Sequence, residues 1–156
     1  MKQLIITIAF ILSFSSHALT VKLATVDWPP YFGPKLKDQG LVVRLIGDSL
    51  KKKGLSLKVF YMPWKRAVSV ATRGKDYHGL LGCWHNKERE KIFNYSQEIA
   101  SASLHFLGPK DGETQTVSNL MDLKSQVIGF LRGYAISQKL KKFEGSVRFI
   151  KVDKIK

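Results

Sequence analysis

The chain has 156 residues, 44% of them hydrophobic, and a formal charge of +14 from 26 Lys and Arg against 12 Asp and Glu. That gives room for one modest core and too little for two full domains, and 24% charged with 11% aromatic residues argues against disorder. The single Cys excludes an intrachain disulfide framework and any paired-cysteine zinc or redox centre, while so basic a chain fits an exported bacterial protein as readily as a nucleic-acid or membrane binder.

The chain opens with Met1, Lys2 and Gln3, a short positive start, followed by an apolar run from Leu4 to Phe14. Ser16 and Ala18 place small residues at the −3 and −1 positions of a cut after Ala18. This is the layout of a secretory signal peptide over residues 1–18, and the run is well short of the roughly 20 residues that span a bilayer. No Cys stands at the cleavage region, so the expectation is a soluble, exported, non-lipidated protein of the periplasm.

Val21 to Val26 reads as a strand that runs into Asp27-Trp28-Pro29-Pro30-Tyr31, where two prolines end it and display Trp28 and Tyr31 on a loop. Leu41, Val42, Leu45, Ile46, Ser49 and Leu50 recur at helical spacing, with Gly54 as a stop. Leu55, Leu57 and Val59 alternate as a strand. A second helix follows from Pro63 to about Arg73, ended by Gly74, and Leu80 to Trp84 makes a third strand. This alternation is the rhythm of a parallel sheet with helical crossovers.

Ile99 to Leu107 reads as extended, and the polar stretch Gly108 to Thr116 reads as a boundary between residues 19–107 and 108–156. Beyond it, Asp122-Leu123-Lys124 precedes a strand Val127 to Leu131, Gly133 turns, Ala135 to Phe143 is a helix, and Val147 to Val152 is a last strand. Such a strand–helix–strand piece buries too little apolar surface to stand alone, so the second unit reads as unfinished and the chain as C-terminally truncated.

Four stretches carry a resemblance: Ala24-Thr25-Val26-Asp27-Trp28-Pro29-Pro30-Tyr31, Tyr61-Met62-Pro63-Trp64-Lys65-Arg66-Ala67, Glu88-Arg89-Glu90-Lys91-Ile92-Phe93-Asn94-Tyr95-Ser96, and Asp122-Leu123-Lys124 with Gly129-Phe130-Leu131-Arg132-Gly133-Tyr134. In order and spacing they resemble the family 3 extracellular solute-binding proteins, the periplasmic receptors of polar-amino-acid ABC importers. The resemblance runs from about Val21 to the end and covers the first part of a full member. It implies a type II periplasmic-binding-protein fold of two α/β lobes, the first nearly complete and the second partial.

The resemblance also implies a site. Arg89 falls at the family's carboxylate-binding Arg, a role that suits a rigid two-pronged cation better than Lys. Trp28 and Trp64 fall where aromatics wall the ligand, with Tyr31 beside the first, and Gly82 where backbone approaches it. Trp84 stands five places before the Arg, where members commonly carry a small hydroxyl residue. Arg132, Gly133 and Tyr134 occupy the second-lobe loop that touches the ligand in members of the family. The implied protein is a monomeric binder of a small polar, carboxylate-bearing solute that docks on an inner-membrane ABC permease, without catalysis, cofactor or nucleic acid.

Other signals are weaker. Cys83, His85, His78 and His105 lack the paired spacing of a metal site. Common hydrolase, zinc-protease and nucleotide-binding patterns are missing. Two alternatives remain open at this level. One is a dehydratase-like enzyme of the same fold, for which His85 and Glu88 are the acid–base candidates near Arg89. The other is a basic exported protein that adheres to anionic lipid or nucleic acid.

Overall fold

The alternation of Leu23 with Ala24 decides the architecture, because neighbours on a strand face opposite sides of a sheet. A computed structural model describes residues 18–108, 117, 119–124, 126–134 and 136–152. The leader, apart from Ala18, and the 108–116 boundary, apart from Gly108, lie outside the described residues. Strand β1 (Thr20–Thr25) is central and parallel to both β2 (Ser56–Tyr61) and β3 (Gly79–Leu80), giving the order β2-β1-β3. Register runs from Thr20 opposite Ser56 to Thr25 opposite Tyr61 on one edge, and pairs Leu23 with Gly79 on the other.

Helix α1 (Leu41–Lys51) covers one sheet face and α2 (Trp64–Arg73) the other. On the α1 side Phe32, Val42, Val43 and Leu81 form a buried cluster edged by Leu23. On the α2 side Ala24, Trp64, Ala67 and Val70 form another, edged by Tyr77, Cys83 and Tyr134. The α/β class and the crossovers therefore agree with the sequence rhythm, as a Rossmann-like α/β domain.

Three expectations need correction. The inward stripe of α1 is Val42, Val43 and Ile46, whereas Leu41 and Leu45 are 65% and 50% exposed. Residues 41 and 45 lie one 100° step around the helix, off the face that meets Phe32 and Leu81. The third strand is Gly79–Leu80 and stops short of Trp84. Leu81 still donates its N–H to Ala24 O (3.0 Å), but Gly82 then takes φ +70° and turns the chain off the sheet. Residues 99–107 form no strand, and Leu104 and Leu107 are 69% and 93% exposed.

After a one-turn helix α3 (Lys87–Glu90), the second unit begins with a 3₁₀ turn at Leu120–Leu123. Asn119 caps that turn in a reciprocal box with Asp122. Strand β4 (Val127–Leu131) pairs in parallel with β5 (Arg148–Val152), joined through the one-turn helix α4 (Gln138–Lys141). The expected helix over residues 135–143 is thus only one turn, capped by Ser137 Oγ, which accepts from Leu140 N–H at 3.3 Å. No helix among the described residues is long and apolar enough to cross a membrane.

Candidate functional site

In an open parallel sheet, crevices form beyond the carboxyl ends of the strands, at the point where successive connections leave in opposite directions. Here that point lies between β1 and β3, and the sequence-derived residues follow the strand ends: Trp28 and Tyr31 after β1, Trp64 after β2, Gly82, Trp84 and Arg89 after β3. The loop Arg132 to Tyr134 follows β4 in the second unit.

Two clusters result. In the first, Trp28 N–H donates to Phe32 O (2.8 Å) across a tight loop that contains a cis Pro29–Pro30 bond. The Trp28 ring lies 5.6 Å from Tyr31 and 5.8 Å from Trp84, centre to centre. Gly82 packs against Phe32, whose ring lies 5.8 Å from that of Trp28, centre to centre. A Cβ there would come within 2.3 Å of the Phe32 ring, so the space left by the missing side chain is filled by Phe32. The missing side chain at Gly82 thus makes room for the core ring of Phe32.

The second cluster joins the two units. Trp64, only 7% exposed, donates its Nε1–H to Gly133 O at 3.1 Å. Arg89 donates from Nη2 to the same oxygen at 3.0 Å and from Nη1 to Cys83 Sγ at 3.6 Å, and its guanidinium lies 5.4 Å from the Trp64 ring centre. Among the described residues no carboxylate lies within ion-pair distance of Arg89. Tyr134 stacks at a tilt on Trp64, 5.9 Å between centres, and this burial raises its phenol pKa. Gly133 makes the approach feasible: at φ +86° its missing Cβ would stand 3.3 Å from Lys65 Cβ, in the first turn of α2. Arg132 points elsewhere, donating to Lys151 O at 3.5 Å on β5.

Sequence reading missed the groups that position Arg89. Asn86 Oδ1 caps α3, accepting from Glu88 N–H (2.7 Å) and Arg89 N–H (3.3 Å). An Asn just ahead of Lys-Glu-Arg-Glu was the available signal. Tyr95 donates to Trp84 O (3.1 Å), lies 3.7 Å from Cys83 Sγ and stacks on His85 at 5.1 Å between centres. Burial, then the Cys83 hydrogen bond, pushes its phenol up to about 12. No periodicity marks that role.

The acid–base pair His85 and Glu88 does not form. His85 Nε2 lies 2.7 Å from Glu90 Oε1, and Glu88 is held by Lys141 Nζ at 2.6 Å. The Lys141 contact lowers the pKa of Glu88 and raises that of Lys141. Among the described residues no three His, Cys, Asp or Glu side chains gather as a metal ion needs, and His78 Nδ1 instead accepts from Lys22 N–H at 2.9 Å.

A cleft of about 370 Å³ opens beside the second cluster, lined from one unit by Asn86 and Glu88 and from the other by Phe130, Tyr134, Lys141 and Phe149. A larger hollow of about 570 Å³ lies along α1 and β2, lined among others by Val43, Gly47, Leu57 and Val59, with neither Arg89 nor a tryptophan in its wall. The interunit cleft is lined by polar and aromatic side chains and shares Tyr134 with the Arg89–Trp64 cluster, which stands next to it without lining it, so this face is the candidate site. No protein-family model matches this chain, and neither a curated protein nor a solved structure does.

Proposed function

We propose that this chain is an exported solute-binding protein of the two-lobe periplasmic type, which captures a small carboxylate-bearing solute between its α/β units for an inner-membrane ABC importer. The observation that carries this reading is Arg89: a half-buried guanidinium against the Trp64 face, at the strand ends, with no carboxylate partner among the described residues. A guanidinium so placed is an anion receptor, since its fork matches a carboxylate and the indole beside it limits water. The family resemblance supplies the periplasmic location and the permease partner. On this reading the site binds its solute without making or breaking bonds; His85 is paired with Glu90 and Glu88 with Lys141, so the two are not paired with each other.

The test is calorimetry with a panel of acetate, succinate, L-glutamate and L-lysine, on the wild type and on Arg89→Ala. At least one carboxylate should bind the wild type, and the variant should lose it. Unchanged affinity in the variant, or no binding by any of the four and none by benzoate, would refute the reading.

A further inference from the structure

Two donors from separate elements converge on one oxygen. The Trp64 indole, fixed by the core at the start of α2, and the Arg89 guanidinium, set by the Asn86 cap on α3, both point at Gly133 O, at 3.1 and 3.0 Å. That oxygen belongs to the second unit. We propose that Gly133 O holds, within the chain itself, the place of a solute carboxylate oxygen, so that loop 132–134 and the solute compete for the same two donors. This rests on the carboxylate reading above and adds the class of solute and the sense of the conformational change.

The chemistry favours exchange. A guanidinium pairs with an ionised carboxylate through two parallel bonds between opposite charges, whereas it gives the neutral Gly133 carbonyl a single bond. Among the described residues the loop meets the first unit through the two bonds to Gly133 O, the Tyr134 ring on Trp64 and the fit of Gly133 against Lys65, and the Glu88–Lys141 pair, in which Glu88 is 71% exposed, joins the two units alongside. Exposed pairs of that kind hold weakly. When the loop lifts, Tyr134 leaves the Trp64 face, and that face then needs an apolar cover. The solute that replaces both groups carries a carboxylate on a flat or apolar body, as an aromatic or short branched acid does. Loop docking lowers the apparent affinity by the fraction of chains in which the loop is down.

The experiment measures benzoate binding by calorimetry on the wild type, Gly133→Ala and Tyr134→Ala, with benzamide as the uncharged control. Gly133→Ala destabilises the docked loop through its φ of +86° and its crowding against Lys65, and Tyr134→Ala does so without touching the backbone. Both variants should bind benzoate about tenfold more tightly than the wild type, the factor that corresponds to about 1.4 kcal/mol of competing contact. Benzamide should bind none of them. If benzoate binds the wild type but both variants bind it equally or more weakly, the loop is a ligand contact and the competition is refuted, while the carboxylate reading stands. If benzoate binds none of the three, the proposed solute class is refuted, and the four-solute panel decides separately on Arg89.

Discussion

Replacing Gly82 by Ala tests the geometry on which the first aromatic cluster rests. Two costs apply. A residue with a Cβ held at φ +70° is in the left-handed region, which costs about 1–2 kcal/mol. The new Cβ would also meet the Phe32 ring at 2.3 Å, with Phe32 only 2% exposed and held between Val42, Val43 and Leu81. Overpacking of that kind costs about 1–3 kcal/mol, because the ring has no open side to move toward. The total of about 3 kcal/mol is a large share of the roughly 5–15 kcal/mol that holds a small domain folded. Gly54 provides the control: its φ is +72°, yet nothing lies within 4 Å of its absent Cβ. Gly54→Ala should therefore show the backbone cost alone. The assay is urea unfolding followed by tryptophan fluorescence, with Gly82→Ala repeated in a Phe32→Leu background to isolate the coupling. Equal losses for Gly82→Ala and Gly54→Ala would show that Phe32 does not fill the space, and the packing argument would fail.

Trp64→Phe should keep most of the core while removing the bond to Gly133 O, a loss of about 1 kcal/mol, whereas Trp64→Ala should cost about 3–5 kcal/mol by leaving a cavity among Ala24, Ala67 and Val70; urea midpoints give both values. Raising the pH should weaken the fold through Tyr95. Its folded pKa of about 12 lies above its ordinary value of 10.0, so its contribution is complete below pH 10 and is lost as the pH climbs toward 12. Tyr95→Phe should flatten that part of the stability profile, and an unchanged slope would contradict the assignment. Glu88→Gln and Lys141→Met should each give the same small, salt-sensitive change, with the double variant no worse than either alone, since both remove one exposed pair.

The parallel α/β order was legible because it depends on period: Leu57 and Val59 alternate with polar neighbours, Gly54 and Gly74 stand just past the two helices, and those helices and the first two strands are long enough to declare themselves. The end of β3 was not, because a run of Leu80 to Trp84 looks strand-like until Gly82 takes a conformation that only the tertiary fit with Phe32 explains. At the site, the family resemblance singled out Arg89 and Trp64, but what they touch was invisible. Their common partner is a backbone oxygen, and a carbonyl has no letter in the sequence. Lys141 and Glu88 meet across 53 positions, and no local pattern announces such a pair.

The central place of β1 has a consequence for the order in which the chain can fold. This strand is made early, yet its two edges wait for Ser56–Tyr61 and then for Gly79–Leu80. Each pairing closes a long loop, and loop closure must be met before the contacts reward it. Until Leu80 is available, Leu23 and Ala24 present an open edge, which is the part of any parallel sheet most exposed to mispairing. A substitution that slows arrival of β3, rather than one that weakens the finished sheet, should therefore have its main effect on yield at synthesis and little effect on the melting of protein already folded.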